Sequence, residues 1–196
     1  MVCDYIEGRM TSAALMSYFA KAVSPGFDAE RHLQRIGVAN QTTMLARESL
    51  AIADVVGAAI GRGRGDDARA TSFRSFDTIC SATQERQDAV RELLDTGVDV
   101  MVVIGGFNSS NTISLAALCA DEVPTYHIET SLAINPDARS IHFREATIKH
   151  NEMDVVDWIP PGPVRVGITA GASTPNNKIG DVVTRILATR GLKAQV

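Results

Sequence analysis

The segment VDVMVVIGGFNSSNTISLAAL, residues 98–118, decides the fold of this chain. Its first half is a near-continuous apolar run rich in β-branched residues, which is typical of a strand that helices cover on both faces. Ser109, Ser110 and Asn111 then precede a run in which Leu115 and Leu118 have helical spacing. The segment therefore predicts a buried strand, a polar turn and a helix.

The same order of strand, polar turn and helix recurs along the chain. Further strands are predicted at residues 35–40, 78–80, 124–129 and 164–174. Helices are predicted at residues 11–23, after residue 43, after residue 80 and from near residue 175. Residues 61–70 are predicted to form a loop, and residues 130–157 to be irregular or mixed. Strands that alternate with helices predict an α/β fold with mainly parallel sheets.

Composition narrows the classes of partner. The net charge is −4, the pI is about 5.5, and lysines and arginines form no long cluster. Nucleic acid and an anionic membrane surface are therefore not expected as partners. The chain carries no apolar run of spanning length and no signal or transit pattern at its first residues. We expect a soluble, intracellular chain.

Cysteines and histidines give no metal motif by spacing. The three cysteines, Cys3, Cys80 and Cys119, include no CxxC pair. Cys80 lies directly before a predicted helix, where backbone donors would stabilise a thiolate, so it is a metal ligand, a nucleophile or a structural thiol. Cys119 is expected in the core. Surface or structural roles are expected for the histidines, which are His32, His127, His142 and His150.

Hydroxyl-bearing turns precede several of the predicted helices. Thr42 in QTT, Ser109 and Ser110 in NSSN, and Ser173 in GAST all occupy such turns. Helix capping is one interpretation, and anion binding at helix N-termini is the other. In parallel α/β sheets these turns gather at the carboxyl ends of the strands, where ligands bind. Because nucleotide-binding motifs are absent from the sequence, a small phosphorylated or diphosphorylated molecule is the better candidate.

Five ordered motifs carry a family resemblance. They are VANQTTML (38–45), TICSATQERQDAV (78–90), VVIGGFNSSNT (102–112), WIPPGP (158–163) and GITAGASTPNN (167–177). With them the chain resembles the 4-hydroxy-3-methylbut-2-enyl diphosphate reductases, especially the cyanobacterial and plastid branch. This family implies three related α/β lobes around a [4Fe-4S] cluster held by three cysteines. It also implies an electron donor such as ferredoxin or flavodoxin, and a location in the plastid stroma or the bacterial cytoplasm.

The resemblance assigns roles to six residues. It implies that Cys80 is a cluster ligand and that Thr42, Ser109, Ser110, Asn111 and Ser173 bind the substrate or its diphosphate. Residues 1–76 would be the remainder of the second lobe, residues 77–190 the third lobe, and residues 191–196 a C-terminal tail. The family's first lobe, with its other ligands and its proton-delivering groups, is expected to precede Met1. No catalytic residue is therefore assigned within this chain.

Two functions follow from this resemblance. The first is reductive dehydroxylation of the diphosphate substrate to isopentenyl and dimethylallyl diphosphate at the cluster. The alternative is a shortened, cluster-free chain that binds diphosphate without catalysis. Both functions require the hydroxyl turns, but only the first requires the two additional cysteine ligands.

Overall fold

The computed structural model describes residues 1–146 and 151–193, so His150 and the last three residues of the predicted tail lie outside it. The chain divides into two compact units, Met1–Ile79 and Cys80–Val196. The boundary predicted after residue 76 lies just before this division. The assignment of these units to lobes of the family stays a prediction. Within the described residues, no helix is both long and apolar enough to cross a membrane.

The first unit is mostly helical around a short parallel strand pair. Its elements are α1 (Val2–Ile6), α2 (Ser12–Tyr18), α3 (Ala29–His32), β1 (Ile36–Val38), α4 (Ala46–Arg64), α5 (Asp66–Ser72) and β2 (Phe73–Ser75). The strands β1 and β2 are parallel, with Ile36 opposite Phe73. Ala59 and Ile60 of α4 are fully buried, and together with Ile6 they form a hydrophobic cluster in the core of this unit.

The loop predicted over residues 61–70 is wrong, because α4 continues to Arg64 and α5 begins at Asp66. One glycine in this stretch, Gly63, permits close packing. A Cβ on Gly63 would lie 2.5 Å from the carbonyl oxygen of Ile6, so α1 can approach α4 only where a side chain is missing. The break itself occurs at Gly65, whose φ of 91° is costly for other residues.

Two further predictions for the first 80 residues differ from the structure. The helix predicted over residues 11–23 is shorter, since α2 begins after the N-cap Thr11 and ends at Tyr18. The strand predicted at residues 78–80 is absent, and these residues form an irregular connection. Thr78 fixes this connection, because its hydroxyl accepts from the amide of Asn40 at 2.8 Å and donates to the Asn40 carbonyl at 2.6 Å.

The second unit contains a mixed sheet of six strands flanked by helices. Its elements are α6 (Ser81–Asp95), β3 (Val100–Ile104), α7 (Ser110–Ala120), β4 (Thr125–Ile128), β5 (Ile134–Asn135), β6 (Ser140–Arg144), β7 (Glu152–Val156), β8 (Val166–Ala170) and α8 (Asn176–Thr189). The strand order is β5-β6-β4-β3-β8, with β7 also paired to β6. The predicted α/β class is confirmed.

The strand β3 lies between β4 and the edge strand β8 and is buried along its whole length. It runs parallel to both of its neighbours, with Ile104 opposite Ile128 of β4 and Ala170 of β8. Each such buried aliphatic side chain contributes about 1.5–3 kcal/mol to folding. The parallel register brings the carboxyl ends of β3, β4 and β8 to one edge, where the turns that lead into α7 and α8 begin.

Residues 130–146 and 151–157 are more regular than the sequence analysis predicted. They form β5, β6 and β7, which pair antiparallel with Ile134 opposite Ile141 and His142 opposite Asp154. The strand β6 buries Ile141 and Phe143 and leaves Ser140, His142 and Arg144 partly exposed. This alternation is the signal that the sequence offered for a strand covered on one face.

Candidate functional site

The candidate site lies in the second unit, at the carboxyl edge of β3 and β8. The residues Gly105–Ser109 connect β3 to α7, and Gly171–Pro175 connect β8 to α8. The amide of Gly171 donates to the Ile104 carbonyl at 2.9 Å, and the Thr174 hydroxyl donates to the same carbonyl at 3.1 Å. These bonds hold the 171–175 turn against the last residue of β3, where the other turn begins.

Two glycines allow the turns to come this close. A Cβ on Gly105 would lie 2.5 Å from the Thr112 hydroxyl oxygen, and a Cβ on Gly171 would overlap the same oxygen. Thr112 is fully buried in the first turn of α7. Its hydroxyl therefore fills the space that side chains at both glycine positions would otherwise occupy.

Ser109 and Ser110 have different environments. Ser109 is the N-cap of α7, and its hydroxyl accepts from the Thr112 amide at 3.4 Å. Capping, one of the two interpretations that the sequence left open, therefore applies to this hydroxyl. Ser110 is the first residue of the helix and is exposed. Its amide belongs to the first turn, where N–H groups have no intrahelical partner and favour an anion.

Asn111 is buried and bridges three segments of the second unit. Its side-chain oxygen accepts from the Ala172 amide at 3.1 Å, and its side-chain nitrogen donates to the Thr83 hydroxyl at 3.5 Å. Only 5% of Asn111 is exposed. The structure thus uses this carboxamide to hold the 171–175 turn and α6 beside α7. Its predicted contact with a diphosphate stays a prediction.

Cys80 is exposed and is the N-cap of α6. Its sulfur lies 3.0 Å from the Thr83 hydroxyl oxygen. Hydrogen bonds from the Thr83 side chain and backbone, and from the amides of Cys80 and Ala82, lower the pKa of the Cys80 thiol. Because Thr83 also accepts from Asn111, a hydrogen-bonded path runs from the 171–175 turn to this sulfur.

The other cysteines differ from Cys80. Cys119 is fully buried, as expected, and burial raises the pKa of its thiol to about 12. Cys3 belongs to the first unit and lies 4.0 Å from the Val55 carbonyl oxygen. Over residues 1–146 and 151–193, no three His, Cys, Asp or Glu side chains could together hold a metal ion. The exposure of Cys80 and the lowered pKa of its thiol suit a metal ligand, but the described residues supply no complete ligand set.

The remaining predicted residues are Ser173 and Thr42. Ser173 is exposed in the turn that follows β8, and Pro175, near which the helix was predicted to begin, is the N-cap of α8. Thr42 is exposed in the first unit, three residues before the N-cap Leu45 of α4, so it does not cap that helix. The structure therefore brings the turns of Ser109, Ser110, Asn111 and Ser173 together, with Cys80 linked to them through Thr83.

Sequence reasoning missed four residues that shape this edge: Thr83, Thr112, Glu129 and Arg144. Thr83 follows Cys80 by three residues, a spacing that places both on one side of a first helical turn. That spacing could have identified Thr83. The other three depend on contacts between distant segments, for which the sequence gives no local signal.

Comparison with known proteins points to one family. The model of the LytB protein family matches residues 7–187. A 4-hydroxy-3-methylbut-2-enyl diphosphate reductase of Thermosynechococcus vestitus is 44% identical over 97% of this chain and 47% of its own length. The enzyme of that name from Acaryochloris marina is 42% identical over the whole chain and 48% of its own length. The chain thus spans about half the length of the curated relatives it matches.

A solved structure agrees on the fold. The E-1-hydroxy-2-methyl-but-2-enyl-4-diphosphate reductase from Plasmodium falciparum matches 87% of this chain and 43% of its own chain, with a TM-score of 0.52. Its sequence identity of 19% limits this likeness to the fold.

Proposed function

Because this chain belongs to the LytB family, whose curated relatives are named 4-hydroxy-3-methylbut-2-enyl diphosphate reductases, we propose that it binds the diphosphate of that substrate. The site consists of the first turn of α7 and the 171–175 turn. The observation that carries the proposal is the junction of these turns through the Ile104 carbonyl and the Asn111 carboxamide.

The chemistry of the two turns fits a small, highly charged anion. The first amides of α7 carry the positive end of the helix dipole. Ser110 and Ser173 add exposed hydroxyls that can donate to phosphoryl oxygens. Ser109 keeps the helix start ordered, and Asn111 holds the second turn in place. In the first unit, Thr42 is proposed to contact the substrate, as the family resemblance implies.

In the full-length reaction, Cys80 is proposed as one ligand of a [4Fe-4S] cluster. When bound, such a cluster supplies the electrons for reductive removal of the substrate hydroxyl. The contributions of this chain are the ionisable sulfur of Cys80, the Thr83 hydroxyl that donates to it as a thiolate, and the anion-binding turns. The electron donor is proposed to be a ferredoxin or flavodoxin, and the location to be the cytoplasm or the plastid stroma.

A cluster-free diphosphate-binding chain is the second candidate function. One observation favours it: Cys80 is the single exposed cysteine among the described residues, whereas Cys119 is buried with a raised pKa and Cys3 belongs to the first unit. Diphosphate binding is common to both candidates, because helix N-termini and hydroxyls act without iron.

Isothermal titration calorimetry with inorganic pyrophosphate tests diphosphate binding, which both candidate functions share. The wild-type chain is expected to bind, and Ser110→Ala and Ser173→Ala are each expected to weaken binding about ten- to hundredfold, the loss of one hydrogen bond to a charged group. Thr184→Ala is the matched control, because Thr184 is an exposed hydroxyl in the middle of α8. Equal affinities for all four proteins, or no binding by the wild type, would refute the proposed site.

A further inference from the structure

The turn between β3 and α7 is held through both backbone polar groups of Phe107. The amide of Phe107 donates to a carboxylate oxygen of Glu129 at 2.9 Å. The guanidinium of Arg144 donates to the carbonyl of Phe107 at 2.9 Å. Glu129 directly follows β4 and Arg144 is the last residue of β6, so two other strands of the sheet hold this turn.

The aromatic ring of Phe107 strengthens the same contacts. The Arg144 guanidinium carbon lies 4.5 Å from the ring centroid, within the range of a cation–π interaction. His127 packs edge-on to the ring at a centroid distance of 5.0 Å, and its Nε2 lies 3.0 Å from the Gly105 carbonyl oxygen. Because that oxygen can only accept, Nε2 carries the proton and donates.

These contacts give a structural reason for an acidic side chain, Glu129, beside the proposed anion site. A carboxylate at Glu129 would repel a bound diphosphate, so electrostatics alone disfavours it there. Its geometric effect is different, because it binds the Phe107 amide and fixes the direction of that peptide. The amide of Ser109 in turn donates to the Gly106 carbonyl at 2.9 Å, which sets where α7 begins.

We propose that Glu129 and Arg144 are positioning residues that hold the β3–α7 turn in its anion-binding conformation. This inference rests on the proposed diphosphate function. The Arg144 guanidinium contacts the Phe107 carbonyl, the Phe107 ring and Glu152. The order of the turn therefore depends on side chains that lie outside it, after β4 and at the end of β6.

The first test measures order in the ligand-free chain by amide hydrogen exchange at Phe107. Glu129→Ala is expected to speed exchange of this amide about tenfold or more, because its acceptor is lost. Glu129→Gln keeps an acceptor oxygen and is expected to restore slow exchange. Glu122→Ala is the matched control, since Glu122 is an exposed carboxylate at the opposite end of β4.

The second test measures the pyrophosphate affinity of the same proteins by isothermal titration calorimetry. The temperature is kept well below the melting temperature of every variant. Glu129→Ala is expected to weaken binding about tenfold or more, because the turn loses a hydrogen bond to a charged group. Glu129→Gln is expected to bind at least as tightly as the wild type, because it keeps the acceptor and removes the repelling charge. A loss of stability alone would not produce this rescue.

Arg144→Met gives an independent variant if Glu129→Ala fails to fold. It removes the donor to the Phe107 carbonyl and is expected to weaken binding to a similar degree, with partial rescue by Arg144→Lys. The positioning role would be overturned if the Phe107 amide of Glu129→Ala exchanged as slowly as in the wild type. It would also be overturned if the wild type bound pyrophosphate and Glu129→Ala bound it with the same affinity. Failure of the wild type to bind pyrophosphate would instead overturn the proposed function itself, and the two failures are thus distinguishable.

Discussion

At the scale of single residues, the site depends on short polar contacts between segments. Thr83 is central to them, because it links the Asn111 carboxamide to the Cys80 sulfur. The pKa of the Cys80 thiol is lowered chiefly by the Thr83 side chain. A group with this lowered pKa ionises at a lower pH than an ordinary thiol, so the reactive thiolate is present over a wider range of pH.

Replacing Thr83 should therefore shift the reactivity of Cys80. In Thr83→Val the thiolate loses its hydroxyl donor, and we expect the midpoint of the pH profile for iodoacetamide modification to move to higher pH. Thr83→Ser keeps the donor and should leave the midpoint near that of the wild type. The measurement uses metal-free protein carrying Cys3→Ala, and the buried Cys119 serves as the unreactive reference. Identical midpoints for Val and Ser variants would contradict this role of Thr83.

At the scale of elements, packing of two turns against α7 sets the shape of the site. Gly171 has no room for a Cβ because the Thr112 hydroxyl lies against it. Gly171→Ala is therefore expected to lower the free energy of unfolding by about 1–3 kcal/mol. In a Thr112→Ala background that hydroxyl is gone, and the same substitution should cost clearly less. Urea denaturation of the four proteins measures this coupling, and equal costs in both backgrounds would show that no such clash exists.

The elements also show what the sequence could predict. The strand β3 was predictable because a strand covered on both faces is continuously apolar, and α7 was predictable from its cap and its leucine spacing. The helical conformation of residues 61–72 was not predictable. A glycine such as Gly63 is locally typical of a loop, whereas in the structure it allows close contact with Ile6. Local propensity cannot reveal that contact, because it joins segments far apart in the chain.

For a similar reason, the sequence located the polar turns but not the contacts between them. Hydroxyls at helix starts are visible in sequence, and Ser109, Ser110 and Ser173 lie in the turns where they were expected. Sequence could not show that Asn111 is buried as a bridge, nor that Glu129 and Arg144 hold Phe107. Those roles arise from the register of β4 and β6 beside β3, which no local pattern specifies.

At the scale of the whole molecule, the two candidate functions differ in the number of cysteine ligands that an iron–sulfur cluster requires. The chain spans about half the length of its curated relatives, and Cys80 is its one exposed cysteine among the described residues. A cuboidal cluster needs thiolates from several segments. The 196-residue chain alone is therefore expected to hold no stoichiometric [4Fe-4S] cluster and to reduce no substrate.

Anaerobic reconstitution with iron and sulfide, followed by visible and Mössbauer spectroscopy, checks this expectation. The matched control joins this chain to the part of the Thermosynechococcus vestitus relative that it does not cover, which the family resemblance implies would supply the remaining ligands. A stoichiometric cluster in the 196-residue chain would contradict the expectation. Absence of a cluster in the joined protein would argue against Cys80 as a ligand.

The central claim is that the first turn of α7 and the 171–175 turn together bind a diphosphate. The most direct measurement is a residue-resolved NMR titration of the ¹⁵N-labelled chain with inorganic pyrophosphate. The account predicts that the largest saturable amide shifts occur at Ser110, Asn111 and residues 172–174, with little change at the opposite end of β3. Saturable shifts centred elsewhere, or no saturable shifts at these amides, would contradict it.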